Sequence, residues 1–179
     1  MASSSNPLEE NWVKWAALLT TVLAVLTAIS SLKSGGFGSR VQVLTAQENN
    51  KWAYFQSKSV KQHIMETKSD LLEIELKKSS NDAELSNFIK DKLASCTKDI
   101  ARYDKEKKEI ENDALALSKQ GTLAGRHGGN LGLAVMFFQI AIMMSSVGAL
   151  LKRKWLWIIG TVFGLIAACY MLNGFYLFF

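Results

Sequence analysis

Hydrophobic positions along the chain form three unbroken apolar blocks and, between the first two, one long periodic stretch. Trp15–Leu32, Leu131–Leu151 and Trp155–Phe178 contain no charged residue. Each is long enough to cross a bilayer as a helix, which takes about 18–20 apolar residues. In Val41–Lys119 apolar or small residues instead recur at alternating spacings of three and four, the heptad period of paired helices. One seam reads Val43, Ala46, Asn50, Ala53, Ser57, Val60, Ile64, Thr67, Leu71, Ile74. The other reads Ile89, Leu93, Cys96, Ile100, Tyr103, Lys107, Ile110, Ala114, Leu117.

Folding the stretch about Ser80 sets Leu71 against Ile89, Ile64 against Cys96, Val60 against Ile100, Ala46 against Ala114 and Val43 against Leu117. Each a position then faces a d position, as an antiparallel pair requires. Lys77–Asn81 is polar, and Asn81 followed by Glu84 has the form of a capping box opening the second arm. The expected fold is therefore all-α: a membrane protein with three transmembrane helices and a long antiparallel coiled-coil hairpin between the first and second. Its expected parts are 1–34, an N-terminal segment and the first span; 35–130, the extramembrane hairpin with arms at about 41–78 and 82–119; and 131–179, the second and third spans.

The ends and joints have their own signals. Asn6 and Pro7 read as a cap and first helical position. Trp12 and Trp15 suit a membrane interface. Glu9 and Glu10 stand where a cleaved leader would be basic, so the first block is expected to persist as an anchor. Ser34–Ser39, with glycines at 35, 36 and 38, predicts a break or flexible joint. Gly121–Gly129, around Arg126 and His127, predicts a continuous or kinked helix running into the second span.

Six residues are candidate oligomer contacts. Asn50 lies on the first seam, where a polar residue commonly specifies register. Trp52, Tyr54 and Phe55 flank that seam as an aromatic cluster, which marks contact with other copies or a partner. Gly160 and Gly164 form a GxxxG that permits close helix approach. Gln139, mid-way along the second span, is a candidate intramembrane polar site, because a buried amide must face protein or water rather than lipid. His63 has no companion ligands at metal spacing. Cys96 and Cys169 read as small buried hydrophobes, with a Cys96 cross-link between subunits as the alternative.

The chain has 179 residues, with 21 Lys and Arg against 16 Asp and Glu, a net charge of +5. The charges interleave through the middle, a solvated helix surface rather than a nucleic-acid patch. Lys152-Arg153-Lys154 is a topology signal: by the positive-inside rule that turn is cytoplasmic, the N-terminus inside and the hairpin outside. Lys14 agrees with this orientation; Lys33 and Arg40 run against it. No catalytic, cofactor or metal constellation is present, so the expectation is not an enzyme.

Three segments resemble a known family: Trp52–Lys61 (WAYFQSKSVK), Ala134–Ile142 (AVMFFQIAI) and Lys152–Trp157 (KRKWLW). The chain is similar, over most of its length, to an uncharacterised bacterial inner-membrane family known only as a domain of unknown function. That resemblance implies one span, a helical hairpin and two further spans in the bacterial inner membrane; the charge rule at Lys152–Lys154 then puts the hairpin on the periplasmic side. It implies no activity or cofactor. The expected function is a membrane-anchored homo-oligomeric coiled-coil scaffold or accessory protein; the alternative is a channel-like assembly with Gln139 near its axis. The expected partners are the lipid bilayer, further copies of the chain and an unidentified membrane or periplasmic protein, and no nucleic acid.

Overall fold

The computed structural model describes residues 7–78 and 83–178, with side chains from Trp12 onward. The Asn6 cap and the Ser80 turn with its Asn81 cap lie outside the described residues. Among the described residues the fold is all-α: α1 (Pro7–Lys78), α2 (Ala83–Leu150) and α3 (Lys154–Tyr176). Each helix contains a stretch long and apolar enough to cross a membrane. The chain divides into two compact units, one built from 1–42 and 121–179, the other from 43–120.

In the first unit α1, α2 and α3 share a core of Leu23, Ala134, Phe138, Ala141 and Ala167. Phe137 stacks on both Phe163 and Tyr170 beside it, at 6.1 and 5.5 Å. The α2–α3 crossing is close because small residues face one another. A Cβ on Gly160 would stand 2.9 Å from Ala141 O and 3.0 Å from Ser145 N. Lipid tails are as apolar as the side chains, so such packing, rather than the hydrophobic effect, holds membrane helices together. The turn between α2 and α3 is short. Arg153 N–H reaches Gly148 O at 2.9 Å and Lys152 N–H reaches Ala149 O at 3.3 Å. Lys152 is left-handed at φ 49°, which closes α2 in the manner usually left to glycine.

The predicted break at Ser34–Ser39 does not form: α1 runs unbroken through Gly35, Gly36 and Gly38. α2 likewise runs unbroken through its glycines. Each helical glycine costs about 1 kcal/mol relative to alanine, but at a membrane boundary the loss of a backbone hydrogen bond costs more. Tertiary contacts also hold the segment. Ser34 Oγ donates to Gly128 O at 2.9 Å, and Phe37 stacks on His127 at 4.9 Å. A Cβ on Gly128 would come within 3.2 Å of Phe37 Cβ, so glycine permits the approach.

In the second unit the arms of α1 and α2 lie antiparallel, joined by Lys51–Asp113 at 2.7 Å and Lys58–Glu106 at 2.6 Å. On α2, Ile89, Cys96, Ile110 and Ala114 of the expected seam are buried. On α1 the expected seam is corrected. Val43, Val60, Ile64, Leu71 and Ile74 are 50–62% exposed. The inward face instead carries buried Leu44 and half-buried Trp52, Phe55, Gln62, Met65, Leu72 and Leu76. The register also differs. Folding about Ser80 sets Lys51 against Glu109 and Lys58 against Arg102. The pairs actually formed lie one helical turn further along α2. The inward face wins because Trp52, Phe55 and Met65 offer more area to bury than Asn50, Ala53, Ser57 and Thr67 of the outer stripe. The stems of Lys58 and Gln62 cover the rest.

Candidate interaction surfaces

The first arm has two faces of equal period. The expected seam stands two residues ahead of the inward one, about 200° round the helix. One face is therefore packed inside the chain and the other points away from it. On the outer face Val60, Ile64 and Leu71, with His63, Thr67 and Lys68, line a shallow hollow of about 410 Å³. Asn50 belongs to this outer face and is exposed, as is Tyr54 beside it.

Trp52 and Phe55 are half-buried and make contacts within their own chain. They pack edge to face at 5.6 Å, and Lys107 of the second arm sits over Phe55 at 5.4 Å. Trp52 Nε1 donates to Glu48 at 3.4 Å. Tyr54 is tied in differently: Lys58 Nζ lies 5.2 Å from its ring and 5.5 Å from that of Tyr103. The same ammonium donates to Glu106, which raises the Lys58 pKa and holds the Glu106 carboxyl below the usual range. Sequence reasoning missed both cross-arm ion pairs, because their cations lie on the α1 face it had turned to solvent.

Gly160 and Gly164, the candidate oligomer contacts of α3, have close neighbours within their own chain. Both are buried inside the chain. Gly160 lies against Ser145 and Ala141, and Gly164 lies 3.2 Å, measured from a built Cβ, from Leu23. Gln139 behaves oppositely. It is exposed on α2, between exposed Met136 and Met143, with exposed Ser146 two turns further along the same face. Within one chain the amide therefore does not face protein.

His63 Nδ1 lies 2.8 Å from Glu66 Oε2, and no group able to hold a metal occurs among the described residues. Both cysteines are free. Cys96 is buried as expected, but Cys169 is exposed on α3, because its helix turns Gly164 and Ala167 inward instead. His127, which sequence places only in a glycine-rich joint, makes a tertiary contact. Its Nδ1 donates to Gly174 O at 2.7 Å while its ring stacks on Phe37. No curated protein and no solved structure matches the chain. Residues 12–177, spanning nearly all of α1, α2 and α3, match the family described as domain of unknown function DUF4337, and the chain belongs to it.

Proposed function

We propose that this protein is a membrane-anchored homo-oligomeric scaffold or accessory protein that pairs with further copies through the outer face of its first arm. One observation carries this reading: Val43, Val60, Ile64, Leu71 and Ile74 keep heptad spacing along α1 yet are 50–62% exposed. An apolar stripe of that period fits a second helix, and none of the described helices of the same chain packs against it. Copies anchored in one bilayer with one topology point the same way, so paired first arms run parallel. Asn50 then meets Asn50, the arrangement in which a seam asparagine fixes register. Each hairpin is thereby a coiled-coil pair that contributes one helix to a larger bundle. Its role is structural rather than catalytic and involves no nucleic acid. The setting is the bacterial inner membrane, with the hairpin periplasmic and Lys152–Lys154 cytoplasmic.

Mass photometry of the solubilised chain tests this reading. The wild type is expected as a multimer and Ile64→Asp/Leu71→Asp as a monomer of unchanged helicity. A wild type running as a single 19.9 kDa chain in its detergent micelle overturns it.

A second reading is favoured by exposed Gln139. An unpaired amide in hydrocarbon is costly. Copies that meet along this face of α2 satisfy it, and a channel-like assembly results if the amides ring an open axis. Flux through liposomes that Gln139→Leu leaves unchanged removes the channel reading.

A further inference from the structure

From Asn11 to Gln47 and from Ala114 to Phe179 the chain contains no Asp or Glu. Lys33, Arg40 and Arg126 of the first unit therefore have no acidic residue within seven positions on their own helix. Two of them form a defined hollow. Lys33 and Arg40 are seven residues apart on α1, two helical turns, and so share one face. Between them a Cβ on Gly36 would have nothing within 4 Å. The result is a hollow of about 370 Å³ lined by Leu32, Lys33, Gly36, Phe37 and Arg40.

The level of this hollow is set by contacts within the unit. Lys33 ends the apolar block Trp15–Leu32, and Arg126 precedes Leu131–Leu151. Ser34 bonds Gly128 and His127 bonds Gly174, which bring the three helices together at that level. All three apolar blocks thus stop at about one level, as blocks set in one bilayer would where hydrocarbon gives way to headgroups. Below the hollow, Ile29 and Leu32 are exposed to the apolar side, at 43% and 79%.

We propose that this hollow holds the phosphate of an anionic phospholipid, with Lys33 and Arg40 as its cationic donors and the acyl chains lying along Leu32 and Ile29. Arg presents a planar fork suited to phosphate, and Lys a point charge on a flexible stem. The neighbouring hollow at Arg126, Gly129, Asn130, Leu133 and Leu177 is a poorer anion site. It abuts the end of α3, whose last carbonyls carry the negative end of the helix dipole. A free phosphate has no use for the apolar rim at Leu32; a lipid does.

The test places the full chain in nanodiscs of equimolar phosphatidylcholine and phosphatidylglycerol and counts retained lipids by native mass spectrometry. The wild type is expected to retain phosphatidylglycerol preferentially. Lys33→Gln/Arg40→Gln is expected to lower that preference roughly fivefold per charge removed. Gly36→Leu keeps both charges but fills the hollow, and is expected to lower it as well, while Lys154→Gln leaves it in place. The proposal is overturned if the double variant retains phosphatidylglycerol as the wild type does. It is equally overturned if Gly36→Leu keeps the preference, because diffuse surface charge would then suffice.

Discussion

Gly160→Ala is the sharpest probe of the α2–α3 crossing, because the structure sets its effect against that of a second glycine. Alanine in a helix interior gains up to about 1 kcal/mol over glycine in propensity. At position 160 the added methyl would press on Ser145 Oγ and stand 2.9 Å from Ala141 O and 3.0 Å from Ser145 N. Two of those three atoms are backbone of α2, so the strain is relieved only by moving a helix. Overpacking of this kind costs about 1–3 kcal/mol, and more where backbone must shift. The net expectation is a loss of roughly 1–2 kcal/mol after the propensity gain. At Gly129 a Cβ would have nothing within 4 Å, so Gly129→Ala is expected to gain up to about 1 kcal/mol. Thermal or SDS-driven unfolding of the purified full chain, followed by circular dichroism, reads both. Opposite signs are expected. A Gly160→Ala chain as stable as the wild type would refute the crossing as described. If Gly160→Ala instead changed subunit number without affecting unfolding, the glycine would be an oligomer contact after all.

Other expectations concern the hairpin and the membrane face. Ile110→Ala removes a buried side chain from the arm–arm seam and should cost about 2–5 kcal/mol in hairpin stability, whereas Ile64→Ala in the dissociated monomer should cost little; equal losses would contradict the assigned inward face. The Lys58–Glu106 pair has a pH signature. The lowered Glu106 pKa means its contribution is present above the usual carboxylate range and lost as pH falls through the lowered value. The raised Lys58 pKa means its contribution is lost only as pH rises through the raised value. Melting temperature should therefore be flat between those limits, and Glu106→Gln should weaken the acid-side decline; an acid limb identical in the variant would argue against the pair. Gln139→Leu should leave single-chain unfolding unchanged while altering association in the bilayer, measured by single-molecule photobleaching in liposomes.

Much of the layout was readable from residue chemistry, and the exceptions have physical causes. Three helices long and apolar enough to cross a membrane were expected because uncharged blocks of that length have few alternatives. The second arm's seam was legible because Ile89, Cys96, Ile110 and Ala114 are its buried residues and lysine, aspartate and glutamate occupy most of the positions around them. The first arm was ambiguous. Val60, Ile64 and Leu71 keep the same period as Phe55, Gln62 and Leu72, and period alone does not say which stripe meets the second arm. Aliphatic character favoured the outer stripe, whereas buried area and the Lys58–Glu106 pair favoured the inner one. Local propensity alone makes the glycines of 35–38 a joint, whereas the Ser34–Gly128 and Phe37–His127 contacts, which sequence does not show, hold the segment helical. Gly160 and Gly164 were recognised as a close-packing motif, but a motif does not specify whether its partner is α2 of the same chain or a helix of another.

The central claim is that the outer stripe of the first arm meets its own counterpart on a second, parallel copy. Disulfide formation at Ile64→Cys tests it most directly, in a Cys96→Ala/Cys169→Ala background reconstituted into liposomes, with Asn112→Cys on the exposed side of the second arm as comparison. Paired Cα atoms must approach within about 7 Å for the bond to close. The account predicts rapid conversion of Ile64→Cys to a covalent dimer and little from Asn112→Cys. Ile64→Cys that stays reduced and monomeric under the same oxidation would contradict it.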